Sequence, residues 1–358
     1  MHNVGKSIIN KETAMKLSSR RAFRLAAVVL GLGLCAGAFA EPAARFDFIS
    51  HAPDSDAWWN TVKNGIKQAD EDFNVQTDYR NPPNGDIADM VQLVNQAAAR
   101  NYDGVVSTIA DYDLLKSAFP KLKAKNIPFI TANTGTEKQS ADLGALLHVG
   151  QPEYLAGKEA GLRAKADGIK SFLCVNHYAT NPLSFERCRG FADAVGADMK
   201  TSVLDAGTDP TGIEAKVSAF LRTHPNTQAV LTLGPTSADP TIRAVTKMGL
   251  AGKIWFATFD IDSDVAKAIK DGTIRFCTDQ QPYLQGYIPI AMLAIMHKNH
   301  NTDVLQARGE LEKNSKFMKR LQDYGLKPVY EARNISSGPG FITQQNISHV
   351  SALAGQYR

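Results

Sequence analysis

Two hydrophobic periods alternate along this chain so regularly that few architectures remain open to it. RFDFIS (45–50), NVQTDYR (74–80), DGVVSTI (103–109) and IPFITAN (127–133) read as strands. The segments between them, such as 57–72 and 86–99, place apolar residues three and four apart, the spacing of a helix with one apolar face. A second series repeats the scheme with SFLCVN (171–176), TSVLDAG (201–207), AVLTLG (229–234), IWFATFD (254–260) and IRFCTD (274–279), and with helices over 184–195, 211–222, 238–248 and 263–270. Strands that are nearly continuous in apolar residues and separated by helices make parallel sheets covered on both faces. The sequence therefore predicts an α/β protein with two doubly wound parallel-sheet lobes.

Size and charge agree with that prediction. A chain of 358 residues, 44% of them apolar, can bury two ordinary cores. Its 40 basic and 36 acidic side chains are interspersed, giving a net charge of +4 with no long basic run along a helix, so nucleic acid is not expected as a partner. Residues 1–40 have the layout of an export signal: Lys16, Arg20, Arg21 and Arg24, then LAAVVLGLGLCAGAF, then Ala38-Phe39-Ala40 as a small-x-small cleavage site. The expected address is the periplasm. Met15 offers a second start to the same signal, and Ser19-Arg20-Arg21-Ala22-Phe23 has the form of a twin-arginine export sequence as well as of an ordinary positive region. Leu34 before Cys35 argues against a lipid anchor there.

In doubly wound sheets ligands bind outside the carboxyl ends of the strands, where loops converge and helix amino termini present unpaired N–H groups. Those ends carry Ser50-His51, Arg80-Asn81, Thr108, Asn133-Thr134-Gly135, Asn176-His177, Asp205, Pro235-Thr236, Asp260 and Gln280. Amides and hydroxyls predominate, with isolated charges and with Trp58 and Trp59 close by. A polyhydroxylated ligand suits such a set, because planar side chains take neighbouring hydroxyls in pairs and aromatic rings cover C–H faces. On helical phase, Trp58 shares a stripe with Val62, Ile66, Ala69 and Phe73, whereas Trp59 shares a side with Lys63 and Asp70. Core packing thus explains Trp58 more easily, and a cleft contact suits Trp59.

The chemistry of other classes is missing. The turn after the first strand, SHAPDSD, has no GxGxxG for a dinucleotide and no phosphate loop. No GxSxG elbow is present, and no paired CxxC or HExxH pattern. Neither enzyme activity, a cofactor nor a metal is expected. A sugar-responsive repressor would share the two-lobed core but would carry a DNA-reading helix-turn-helix where this chain has an export signal.

The ordered set Trp58-Trp59, Asp103-Gly104-Val105-Val106, Asn126-Ile127-Pro128, His148-Val149-Gly150-Gln151, Arg187-x-x-Gly190-Phe191, Phe259-Asp260 and Asp279-Gln280-Gln281-Pro282 resembles the periplasmic sugar-binding proteins of ABC transporters, in the ribose-binding branch of the type I fold. The resemblance implies two lobes joined by three crossover strands and closing on a monosaccharide or polyol. It also implies a monomer that delivers the ligand to a membrane permease with its ATPase subunit. A sensory receptor presenting a sugar-like signal is the alternative.

Carried over position by position, the resemblance implies a ligand site at Asp56, Trp58, Trp59, Asn133, Arg187, Thr236, Asp260 and Gln280, to which the strand end adds His51. Asn133-Thr134 replaces a charged pair common in the family, Phe185 and Arg187 compete for one position, and Pro235-Thr236 replaces an asparagine. Non-ligand roles stay open for several of these: a turn at Asn133, and helix caps at Asp260 and Thr236. The lobes are expected over 45–150 plus 281–334 and over 151–280 plus 335–358, with a surface excursion at 300–331. Cys174 and Cys188 bracket VNHYATNPLSFER; in an exported protein they form either a disulfide or two buried thiols, leaving Cys277 over.

Overall fold

The computed structural model describes residues 42–358 apart from Thr180. The export segment expected over 1–40, Cys35 included, lies outside the described residues. Among the described residues, thirteen strands form two sheets. In chain order they are β1 (Arg45–Ile49), β2 (Gln76–Arg80), β3 (Gly104–Ser107), β4 (Phe129–Ala132), β5 (His148–Gly150), β6 (Phe172–Asn176) and β7 (Val203–Asp205), followed by β8 (Ala229–Thr232), β9 (Trp255–Phe259), β10 (Phe276–Asp279), β11 (Val329–Tyr330), β12 (Asn334–Ser336) and β13 (Gly340–Thr343). The first sheet has the order β11-β12-β5-β4-β3-β1-β2 and the second β13-β10-β9-β8-β6-β7.

Within the two expected series neighbouring strands pair parallel, as β1 does with β2 and β3, and β8 with β6 and β9. Each sheet also has one antiparallel edge strand, β11 against β12 and β13 against β10. The short link between β11 and β12 permits only that direction, since a parallel return needs a long crossover. Strand order reverses between β1 and β3 in one sheet and between β6 and β8 in the other, and crevices form at such switch points.

Both faces of each sheet are buried. Phe46, Phe48 and Val106 face the helices Trp59–Phe73 and Pro282–Lys298, while Ile49 and Val105 face the other way, among Met90, Val94 and Phe119. In the second sheet Val175, Val230 and Phe256 belong to one core, and Cys174, Leu231 and Phe259 to the opposite one. Polar side chains start the helices: Asp86, Asn181, Asp209 and Asp262 each accept a backbone N–H of the first turn, and Thr136 with Gln139 completes a capping box.

The chain passes between the sheets after β5, after β10 and between β12 and β13. The boundary expected at 335 falls inside β12. Residues 300–331 are more than a surface excursion: helices Val304–Leu311 and Ser315–Tyr324 send Ala307, Leu311 and Phe317 into the first core. In the second helix Phe317, Leu321 and Tyr324 recur four and three apart and pack on that core, while the remaining faces are charged.

Candidate functional site

All nine residues expected at a ligand site line one cavity of about 80 Å³ between the two sheets. It opens towards an outer cleft of about 1560 Å³ that shares His51, Asp56, His177, Tyr178 and Thr236 with it. From the first lobe, the loop after β1 supplies His51 and Asp56, the helix start supplies the tryptophans, and the end of β4 supplies Asn133. From the second, the segment after β6 supplies Tyr178 and Arg187, the end of β8 supplies Thr236, and the ends of β9 and β10 supply Asp260 and Gln280.

Asp260 is the most heavily engaged. It is 2% exposed; its Oδ1 accepts the Gln280 backbone N–H at 3.0 Å, and its Oδ2 accepts Gln280 Nε2 at 2.5 Å and Trp58 Nε1 at 2.8 Å. Burial pushes its carboxyl up to about 7, against the pull of Arg187. The helix-cap alternative does not hold, since Asp262 caps the helix Ser263–Lys270. Asp260 and Asn133 both adopt left-handed backbone, with φ of 54° and 61°, an uncommon conformation for residues with side chains. Asn133 Nδ2 donates to Gln285 Oε1 at 2.9 Å.

Both tryptophans line the cavity and both pack on the first core. Trp59 is 3% exposed and packs in the first core with Val62, Ile66 and Ala69, the stripe of the helix Trp59–Phe73. Trp58 is the N-cap of that helix, has helical backbone and packs against the same core. It is half-buried and reaches across the cleft to Asp260. The rings meet edge on, 5.2 Å apart at 75°, and His51 lies edge on to Trp59 at 5.4 Å. His51 shares a hydrogen bond with Thr108 Oγ1 at 3.1 Å, and burial lowers its imidazole to about 4.

Arg187 lines the cavity, but most of its donors are already used. Nε and Nη2 bind Glu153 at 2.6 and 2.8 Å, Nη1 donates to the Leu233 carbonyl at 2.8 Å, and the guanidinium lies 4.5 Å from the Phe259 ring centroid. Close helix packing creates the pair. A Cβ on Gly157 would lie 2.1 Å from the Arg187 carbonyl oxygen, so only glycine lets the helix Glu153–Ala166 approach this near. Thr236 stands in the first turn of the helix Pro235–Lys247, whose N-cap is Gly234.

Sequence reasoning missed Tyr178 and Glu153 as cavity residues, and placed His177 at a strand end without naming it in the ligand set. Tyr178 donates its hydroxyl to Asp56 Oδ2 at 2.8 Å, and burial together with Asp56 raises its phenol. Asp56 Oδ1 accepts the Trp58 backbone N–H at 3.2 Å, and burial raises its carboxyl too. His177, at a strand end, is lowered to about 3 by burial and by Arg187. A disulfide joins Cys174 and Cys188, tying β6 to the helix Pro182–Val195 and closing the loop that carries His177 and Tyr178; Cys277 is free and buried. Three buried polar atoms on the cavity wall have no protein partner: Thr134 Oγ1, His177 Nδ1 and Gln280 Oε1. Among the described residues, no group of three or more His, Cys, Asp or Glu is placed to hold a metal ion.

Two doubly wound sheets, three passages between them and one polar cavity at their facing strand ends define a two-lobed binding protein. The family model described as periplasmic binding protein domain matches residues 46–300, and the chain belongs to that family. It is similar to the xylose/arabinose-binding protein of Sulfolobus acidocaldarius, 21% identical over 86% of this chain and 79% of the relative. A carbohydrate transporter from Acidothermus cellulolyticus, solved with myo-inositol, is 27% identical with a TM-score of 0.73, covering 87% of this chain and 98% of the other. A periplasmic sugar-binding protein of an ABC sugar transporter from Legionella pneumophila is 24% identical with a TM-score of 0.66, over 73% and 97% of the two chains.

Proposed function

We propose that this protein captures a monosaccharide or polyol between its lobes, in the periplasm, and hands it to the permease of an ABC transporter. The observation that carries this is the cavity wall: residues of both lobes meet there, and Thr134 Oγ1, His177 Nδ1 and Gln280 Oε1 are buried without protein partners. Buried polar groups are rarely left unpaired, and ligand hydroxyls are the partners such groups take. His51, Asp56, Trp58, Trp59, Asn133, Arg187, Thr236, Asp260 and Gln280 form the ligand set, to which we add Tyr178.

The lobes divide at the three passages, giving 45–150 plus 281–336 and 151–280 plus 340–358. Closure about these passages brings the two halves of the set together, and ligand contacts to both halves favour the closed state. The permease recognises that closed form, and the protein acts as a monomer. No bond is made or broken in the cycle, so no catalytic group is required.

Mass spectrometry of small molecules released by denaturing the purified protein, paired with thermal-shift screening of sugars and polyols, tests this. A co-purified polyol, or clear stabilisation by one, is the expected result. A folded protein that releases none and responds to none overturns the proposal.

A further inference from the structure

The charges in the cavity do not balance. Its described lining residues include three carboxylates, Asp56, Glu153 and Asp260, and one cation, Arg187. His51 and His177 are held neutral by burial. Arg187 is bound through two nitrogens by Glu153, which neutralises it in place. Asp56 and Asp260 are left with neutral donors: Tyr178 and the Trp58 backbone for one, Trp58 Nε1 and Gln280 for the other. Lys63 acts on Asp56, and Arg187 on Asp260, only through space. Burial raises both carboxyls, Asp260 to about 7, and a ligand cation set between them favours their ionised forms.

Two further observations point the same way. Gln280 is 3% exposed, and its Nε2 is committed to Asp260, which fixes its unpartnered Oε1 as a further acceptor on the wall. The aromatic wall is formed by Trp58, Trp59 and Tyr178, and ring faces attract ammonium groups, most strongly those of tryptophan. The wall is therefore rich in acceptors and π faces. An ammonium brings three donors and no acceptor, whereas a carboxylate or phosphate brings only acceptors.

We infer that the ligand is an amine-bearing sugar or polyol whose ammonium lies against Asp56, Asp260 and the Trp58 indole. This rests on the cavity taking a sugar or polyol. The site discriminates against sugar acids and sugar phosphates.

Calorimetric titration of the purified protein at about pH 7.5, above the value to which burial lifts Asp260, with matched series tests it: glucose, glucosamine and glucuronate; galactose, galactosamine and galacturonate; myo-inositol and an amino-deoxy-inositol. In at least one series the amine should bind at least about tenfold tighter than its neutral parent, with no binding of the acid. Asp260→Asn and Asp56→Asn should each shrink that advantage to about threefold or less. A neutral parent that binds as tightly as its amine overturns the ammonium and leaves sugar capture standing. So does an advantage that survives both substitutions in folded variants. Silence from every series, together with release of no polyol on denaturation, overturns both.

Discussion

Trp58 Nε1 donates to Asp260 Oδ2 at 2.8 Å, so an indole at the first helix of one lobe ends on a strand terminus of the other. The Tyr178 hydroxyl makes the reciprocal bond, from the second lobe to Asp56 of the first, also at 2.8 Å. In both, a neutral donor on one lobe meets a carboxyl group on the other, buried at Asp260 and half-buried at Asp56. The same carboxylates face the cavity, so the groups that draw the lobes together are also those a ligand addresses. A ligand shifts the balance between open and closed forms only as far as its contacts favour one of them.

Trp58→Phe keeps the ring and removes the donor. Above about pH 7, where Asp260 gives up its proton, a hydrogen bond to a charged group contributes about 1.5–3 kcal/mol, so the closed form should lose about 10- to 100-fold in relative population. Spin labels placed one on each lobe should report a longer mean distance in the variant than in the parent. An unchanged distance distribution would remove Trp58 from closure.

Much of this fold was legible because its signals are local. The strands of both series, their order along the chain and the strand ends that form the cavity follow from period and from parallel-sheet topology. What escaped depends on contacts far apart in sequence. Glu153 begins a helix whose composition gives no hint that Arg187 packs against it, and the glycine pairing that brings them together is a three-dimensional fact. Helical phase assigned Trp58 and Trp59 one role each, whereas both pack on the first core and both line the cavity, since the helix begins where core and cleft meet. Tyr178 directly follows the strand end Asn176-His177, and reading that loop one position further would have found it.

Gly157→Ala should destabilise the protein. The new methyl meets the Arg187 carbonyl oxygen at 2.1 Å, and backbone on both sides leaves little room to relax. Overpacking of this kind costs about 1–3 kcal/mol. Gly309→Ala is the matched control, also in a helix, with nothing within 4 Å of the added carbon. It should be neutral or stabilising by up to about 1 kcal/mol. Urea unfolding of both variants against the parent checks the contrast, and equal midpoints would contradict it.

Asp260 makes a pH dependence that can be isolated. Burial raises its carboxyl to about 7 in the folded chain from an ordinary value of 3.8. Between these values the folded form keeps a proton that the unfolded form has lost. Stability from this group is therefore complete below the unfolded value, falls as pH rises, and levels off above about 7. Asn at 260 does not titrate. The stability of the parent minus that of Asp260→Asn should decline from pH 4 to pH 7 and then stay level, while titrating groups common to both, Asp239 among them, cancel. Denaturant unfolding across this range reads the difference directly; a flat line would mean that Asp260 ionises freely in the folded protein.

The Glu153–Arg187 pair invites the opposite pair of substitutions. Its side chains are 7% and 13% exposed, and the guanidinium also holds the Leu233 carbonyl next to the cavity. Glu153→Gln leaves a buried cation without its counter-ion, and losing one member of such a pair costs about 3–5 kcal/mol. Replacing both, as Glu153→Leu with Arg187→Met, removes the two charges together and should be close to neutral in stability. The double variant then separates the pair's two duties. If Arg187 contributes to ligand capture through its remaining N–H groups, the double variant folds as well as the parent and binds more weakly. Parental affinity in that variant would make the pair a purely structural brace between the helices Glu153–Ala166 and Pro182–Val195.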